Sequence, residues 1–172
     1  FPTEKETHFG FLIQGPYRTT PSRDNIPRDD TWNKHLVAET ASVLTWALAC
    51  IRDQKLMSVG VLEALVVDLQ KYDAGSQAAM FRPIAEAIVE SLKTEKLIPG
   101  FRGGHLPGSA ACIARTEGLR TLVSHSQLTE VTGSKAGWVT GEITYNRTPA
   151  LRSFLIDSIG VKEFDGEDFV RE

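Results

Sequence analysis

The chain has 172 residues, of which 41% are hydrophobic and 24% are charged, and its formal net charge is −3. This composition is typical of a globular chain that can bury a sizeable core in one domain. A weakly negative chain has no overall attraction to nucleic acid or to anionic membranes, so neither is an expected partner. No apolar stretch is long enough to cross a membrane and no signal peptide is recognisable, which favours a cytoplasmic location.

The two cysteines, Cys50 and Cys112, both lie in apolar surroundings. Cysteines of this kind are typical of small buried hydrophobic residues in a reducing compartment. We therefore expect free thiols rather than a disulfide framework.

The first expected element is a strand at residues 8–14, "HFGFLIQ", in which apolar side chains alternate with small or polar ones. Gly15 and Pro16 would end this strand with a turn, so that residues 1–30 hold a strand and a junction loop. The chain starts with Phe1 and enters the strand almost at once, as a piece cut from a longer protein would. We therefore expect one domain over residues 1–172, truncated at its end, whose first strand can pair with partners outside it.

Three helices are expected over residues 31–95. The first would be capped by Asp29, Asp30 or Thr31 and would run to about Asp53. Its apolar residues recur at three- and four-residue spacing and form a stripe that faces the core. The members of this stripe are Trp32, Leu36, Val37, Ala41, Leu44, Leu48 and Ile51.

The second helix would begin after Ser58, a good N-cap, and the third contains Pro83. Because proline lacks a backbone N–H, the third helix either starts near Arg82 or kinks there. The inward residues of the second helix would be Val61, Leu62, Leu65, Val66 and Leu69, and those of the third would be Phe81, Ile84, Ala87, Ile88 and Leu92.

Residues 96–172 are expected to mix short strands and short helices. Gly103 and Gly104 separate two short apolar pieces and predict a hairpin, followed by a helical turn from Ser109. Residues 118–133 predict two short helices, residues 137–146 short extended structure, and residues 149–160 a helix ended by Gly160. Residues 161–172 predict a strand and the start of a helix. The fold class is therefore α+β (or α/β), dominated by helix, with short strands and at least one hairpin.

The sequence offers little for catalysis. Residues 103–109, "GGHLPGS", have the glycine spacing of a phosphate loop, but Ser109 stands where the lysine is required, so a hairpin turn is favoured. The four histidines have no metal-ligand spacing among themselves or with the cysteines. His125 lies between two serines, yet adjacent residues rarely face each other as a nucleophile and its base must. We therefore expect no catalytic residue, no metal site and no enzymatic activity in this chain alone.

The loop "GPYRTTPSRDN", residues 15–25, is the strongest candidate for a functional site. Arg18 and Arg23 carry planar guanidinium groups that are permanently charged and suit phosphate or carboxylate. Two prolines restrict the backbone of the loop. The supporting residues are Gly15, Thr19, Thr20, Ser22 and Asn25, which supply a turn, hydroxyls and an amide. The alternative is structural, with Arg23 paired to Asp29 or Asp30 and the threonines satisfying turn amides, so that the loop only fastens a strand to a helix.

The string "FLIQGPYRTTPSRDNIP", followed by "DDTWNKHLVAETA", resembles a segment found in sacsin-like, bacterial heat-shock-protein-90-type proteins. In that family an extended strand with a Gly-Pro turn leads to an arginine-containing loop and a helix that starts with Trp-Asn, here Trp32 and Asn33. Residues 97–111 and 114–128 are similar to later parts of the same segment. The resemblance covers most of the chain, and its first 50 residues are the most specific part.

The resemblance implies that the chain lies directly after a GHKL ATP-binding domain. The residues that hold ATP and Mg²⁺ in such a domain are not among these 172, so ATP and Mg²⁺ would belong to the parent protein. In the heat-shock chaperones an arginine of the middle segment reaches the terminal phosphate, and Arg18 or Arg23 could do so here.

Two functions are thereby expected. The first is a non-catalytic coupling module of a chaperone-like ATPase, with the neighbouring GHKL domain and client proteins as partners. The second is a protein- or peptide-binding module without a nucleotide role, in which the helices at residues 58–95 would present an apolar groove.

Overall fold

The computed structural model describes residues 3–169. Helix α1 spans Thr31–Asp53, as the sequence predicts, and Asp30 is its N-cap. The Asp30 carboxylate accepts a hydrogen bond from the backbone N–H of Asn33 and so satisfies one of the free donors of the first turn. Val37 and Leu48 are buried on the predicted stripe. Trp32, which heads that stripe, is instead 41% exposed and belongs to the contact between the helix and the loop before it.

Helix α2 begins after its N-cap Ser58 but is shorter than predicted, since it spans only Val59–Ala64. The β-branched Val66 and Val67 follow, and a 3₁₀ turn at Leu69–Tyr72 starts at Asp68. The Asp68 carboxylate accepts from the backbone N–H of Gln70, which gives the chain a local alternative to continuing the helix.

Helix α3 spans Arg82–Thr94 with Pro83 in its first turn, so the helix starts at the proline rather than kinking there. A 3₁₀ turn at Ala79–Phe81 precedes it. Helices α1 and α3 pack against each other. The predicted core face is formed, with Phe81, Ile84, Ile88 and Leu92 almost fully buried.

The predicted hairpin is formed by β1, Ile98–Pro99, and β2, His105–Leu106, which pair antiparallel. Gly103 and Gly104 have φ values of 87° and 71°, a region that favours glycine. The stretch "GGHLPGS" is thus the turn and second strand of a hairpin followed by a 3₁₀ turn at Gly108–Ala110.

A three-stranded parallel sheet lies in the second half of the chain, in the order β4-β3-β5. The central strand β3, Ala111–Ala114, is buried at all four positions, and the sequence does not predict it. Helices α4, Glu117–Leu122, and α5, His125–Thr132, lead to β4, Gly137–Trp138. Helix α6, Pro149–Phe154, continues through a π-helical segment at Leu155–Ile159 and ends at Gly160 before β5, Lys162–Phe164.

The core forms two clusters. The larger one gathers α1, α2, α3, α6 and the hairpin around side chains such as Leu62, Ile84 and Ile98. The smaller one lies around the parallel sheet, where Leu128 and Trp138 are buried. This arrangement is a helix-dominated α+β fold in one compact unit, which confirms the predicted fold class.

The predicted strand at residues 8–14 is not formed in the described part of the chain. The segment is extended, with Phe9, Phe11 and Ile13 packed against the larger cluster and Leu12 99% exposed between them. The alternation is therefore real, but no strand of residues 3–169 lies alongside to pair with it. The predicted start of a helix at the chain end appears as a 3₁₀ turn at Glu167–Phe169. Its continuation, residues 170–172, lies outside the described residues.

Candidate functional site

The loop between residues 15 and 27 is fastened to α1 by Asn33, which is completely buried. The Asn33 amide donates to the carbonyl oxygens of Arg18, at 2.9 Å, and Pro27, at 3.1 Å. Its Oδ1 accepts from the backbone N–H of Arg18 at 2.8 Å. A single side chain at the start of the helix thus fixes both ends of the loop.

Two aromatic residues add further contacts between the loop and α1. The Trp32 indole N–H donates to the carbonyl oxygen of Pro16 at 3.0 Å. The hydroxyls of Tyr17 and Thr40 lie 3.1 Å apart and form a hydrogen bond. The first turn of the loop therefore has a fixed position relative to the helix.

The second half of the loop is organised by Thr20 and Asn25. The backbone N–H of Thr20 donates to the Asn25 carbonyl at 3.0 Å, and the backbone N–H of Asn25 donates to the Thr20 hydroxyl oxygen at 3.2 Å. The Thr20 hydroxyl also donates to Asp24, and this bond, followed by one from Ser22, lowers the pKa of the Asp24 carboxyl. The threonine satisfies turn amides, as the structural alternative predicts.

Arg18 is the arginine that pairs with the helix start. Its Nη1 lies 3.4 Å from Asp30 Oδ2, and its side chain is otherwise largely exposed. The backbone N–H of Asn33, and after it Arg18, lower the pKa of the Asp30 carboxyl. The ion pairs of Asp29 go to Arg28 and Lys34. The ion pair between the loop and the N-cap of α1 is thus formed by Arg18.

Arg23 lies in a different place, at a cleft of about 740 Å³ between the loop and the N-terminal segment. Its backbone has φ 61°, and its N–H donates to the Thr20 carbonyl at 2.9 Å. Lys5 lines the same cleft, and none of the described lining residues is a carboxylate. The other lining residues are the polar Thr3, Thr7, Gln14, Tyr17 and Thr19, Gly15, and the apolar Phe11, Leu12, Ile13, Ile26 and Phe81.

Two cations beside several hydroxyl groups, with no acidic side chain among the described lining residues, form an arrangement suited to an anion. Successive side chains of the N-terminal segment point to opposite sides. Thr3, Lys5 and Thr7 line the cleft. Glu4 and Glu6, which lie between them in sequence, are exposed. Glu6 Oε1 instead lies 2.9 Å from His8 Nδ1. The acidic residues of this segment are thereby kept out of the cleft lining.

The residues expected from the sequence divide into two groups. Gly15, Thr19 and Arg23 line the cleft, whereas Arg18, Thr20 and Asn25 hold the loop together or fasten it to α1. Sequence reasoning missed Lys5, because nothing in its local pattern shows that the N-terminal segment folds back along the loop. It also left Asn33 without a role, although a polar residue directly inside a helix start is a recognisable signal for a loop contact.

The groove expected at residues 58–95 is not present. The large apolar side chains of these helices are buried or packed against the core. The exposed large apolar residues of the described chain lie elsewhere, and on or directly after α1 they are Trp32, Val43, Trp46 and Leu56. The helices at residues 58–95 thus expose no large apolar side chain to a peptide partner.

Other candidate centres are limited. No group of three or more His, Cys, Asp or Glu residues within residues 3–169 is placed to hold a metal ion. Cys50 and Cys112 are free thiols, as predicted, and burial raises the pKa of Cys112 to about 11. None of the helices over residues 3–169 combines the length and apolar character needed to cross a bilayer.

Comparison with known proteins gives no relative to set beside this geometry. No protein-family model, no curated protein and no solved structure matches the chain.

Proposed function

We propose that this chain is a non-catalytic coupling module of a chaperone-like, sacsin-type ATPase. In this proposal it follows a GHKL ATP-binding domain in the cytoplasm, and Arg23 contributes a positive charge to the nucleotide site of that domain. ATP and Mg²⁺ belong to the neighbouring domain, and client proteins are the further partners. The sequence resemblance of residues 11–41 motivates the proposal, and the geometry of the loop supports one arginine over the other.

The observation that carries the proposal is that Arg23 and Lys5 line the same cleft. An arginine stabilises the charge of a transferring phosphoryl group best when its loop is held in place beforehand. The loop meets this requirement because Asn33 holds both of its ends and the backbone N–H of Arg23 donates within the turn that Thr20 and Asn25 form. Arg18 is the weaker candidate, since it does not line the cleft.

The N-terminal segment supports a coupling role. No hydrogen bond joins the backbone of residues 9–14 to any other residue in the described range 3–169. An extended segment with unpaired backbone groups can accept a strand from a neighbouring domain. The exposed side chain of Leu12 would be covered by such a partner. Residues 11–14 line the cleft, so a movement of the neighbouring domain would then change the shape of the cleft.

The proposal is tested by ATP turnover of the protein that carries both domains. Replacement of Arg23 with Gln is expected to lower kcat while the chain stays folded, and replacement of Arg18 with Gln is expected to leave kcat near the wild-type value. Equal turnover in wild type and the Arg23 variant would contradict the role assigned to Arg23.

A further inference from the structure

Arg120 is a buried guanidinium without a counter-ion in the described part of the chain. It lies on α4, is 5% exposed, and is the only Lys, Arg, Asp or Glu residue in the buried class over residues 3–169. No salt bridge or hydrogen bond joins its side chain to another residue of that range, and its Nε is completely covered without a partner. A buried charge in this state is costly, because it has lost its hydration and gained no opposite charge.

Other partly buried arginines have a carboxylate partner, which Arg120 lacks in the described part of the chain. Arg152 pairs with Glu163, and Arg52 pairs with Asp53 and Glu95. The acidic residues nearest to Arg120 in sequence, such as Glu117 on the same helix, are exposed and form no ion pair with it. Arg120 is therefore more deeply buried than these arginines and yet lacks the carboxylate that each of them has.

Two residues distant in sequence pack against the guanidinium of Arg120. The Cζ atom lies 5.6 Å from the centre of the Phe101 ring, which is a cation–π contact. Gly141 approaches from the loop after β4, and a Cβ atom at this position would lie 3.2 Å from Nη2 and 3.5 Å from Cζ. A side chain at 141 would press on the guanidinium, so the glycine allows the backbone to approach it closely.

Phe101 is 40% exposed and stands in the hairpin turn between β1 and β2, so the guanidinium that it contacts lies close beneath the protein surface. The N–H groups of this guanidinium have no acceptor among residues 3–169. A planar fork of this kind binds carboxylate or phosphate oxygens through paired hydrogen bonds.

We propose that Arg120, together with Phe101 and the backbone at Gly141, forms an oxyanion-binding site that takes a carboxylate or phosphate group. The site is separate from the cleft at Arg23 and does not depend on the function proposed for that cleft. The bound oxyanion supplies the missing counter-charge and pairs with the N–H groups of the guanidinium. Binding is therefore coupled to the stability of the smaller core cluster, to which α4 contributes Leu119.

The test is thermal unfolding of the whole chain in sodium acetate or sodium phosphate, at an ionic strength kept constant with sodium chloride. The wild type should show a saturable rise in Tm of about 5–10 °C at a hundred-fold excess of the anion over its Kd. The two anions distinguish a carboxylate from a phosphate ligand. Arg120→Met should be more stable than wild type without the anion and should lose the response to it.

Arg102→Met is the matched control, since Arg102 is exposed in the same hairpin turn, and it should respond to the anion as wild type does. An unchanged response in Arg120→Met, or a lower Tm of that variant in anion-free buffer, would overturn the proposal. If Arg120→Met does not fold, the NMR signal of Arg120 Nε–H in the wild type decides the question. It should shift during the titration, and a signal that stays in place at saturating acetate and phosphate would likewise overturn the proposal.

Discussion

The side chain of Asn33 holds the peptide unit of Arg18 from both sides, with its amide on the Arg18 carbonyl at 2.9 Å and its Oδ1 on the Arg18 N–H at 2.8 Å. This pairing resembles that between two backbone strands, but one partner is a side chain on α1. These two hydrogen bonds fix the position of the polar loop relative to α1.

Replacement of Asn33 with Ala should therefore destabilise the chain by about 2–3 kcal/mol, because its hydrogen bonds to the loop are lost at a buried position. Lys34→Gln, at the next position on the exposed face of the helix, should change the free energy of unfolding by less than about 0.5 kcal/mol. Chemical denaturation of both variants measures the difference. Equal stability of the two variants would show that Asn33 does not hold the loop.

Asp30 links the loop to the pH dependence of stability. Its pKa is lowered in the folded chain, mainly by the N–H of Asn33, so the charged carboxylate stabilises the fold above its ordinary pKa of about 3.9. This contribution is lost as the pH falls through the lowered value. Asp30→Asn keeps an acceptor at the N-cap and should reduce the loss of stability below about pH 4. An identical acid-unfolding profile for this variant and wild type would contradict the assignment.

Gly108 is a position of close approach. A Cβ atom there would lie 2.4 Å from Ile159 Cγ2 and 2.9 Å from the carbonyl oxygen of Leu92. Gly108→Ala should cost about 1–3 kcal/mol of stability, because backbone and core side chains must shift. Gly118→Ala is the matched control, since it lies in α4 with open space around it and should be neutral or stabilising by up to about 1 kcal/mol. The opposite order of the two variants in a thermal unfolding experiment would refute this packing.

The two thiols should differ in reactivity. Cys112 is buried on β3, and burial raises its pKa to about 11, so little thiolate is present near neutral pH. Cys50 is only partly buried on α1. Titration of the native chain with a thiol reagent should label Cys50 first, and Cys112 should react at a comparable rate only after unfolding. Faster labelling of Cys112 in the native chain would contradict its position in the sheet.

The sequence predicts α1 well because its signals agree. An acidic N-cap, a helical spacing of apolar residues and the lack of an internal proline or glycine all indicate Thr31–Asp53. It fails at β3, because "ACIA" is a short apolar run without a period, and such a run does not distinguish a buried strand from part of a helix. The alternation at residues 8–14 correctly predicts which side chains face the core. It carries no information about whether a partner strand lies alongside.

The candidate site, too, could be predicted from the sequence only in part. The loop chemistry at residues 15–25 identifies Arg18 and Arg23, but only the folded chain separates an arginine paired to Asp30 from one that lines a cleft. Lys5 and Arg120 become candidate site residues only through contacts with residues that are distant in sequence and close in the fold. No local pattern of residue types shows that the backbone at Gly141 packs closely on Arg120.

Steady-state ATP hydrolysis by the proposed parent protein, a GHKL domain followed by this chain, tests the central claim most directly. If Arg23 stabilises the charge of the transferring phosphoryl group, Arg23→Gln should lower kcat by roughly 10³-fold with little change in KM for ATP. Arg18→Gln should keep kcat close to wild type, because Arg18 pairs with Asp30 at the helix start. A wild-type kcat in Arg23→Gln, measured on protein that unfolds at the same temperature as wild type, would contradict the account.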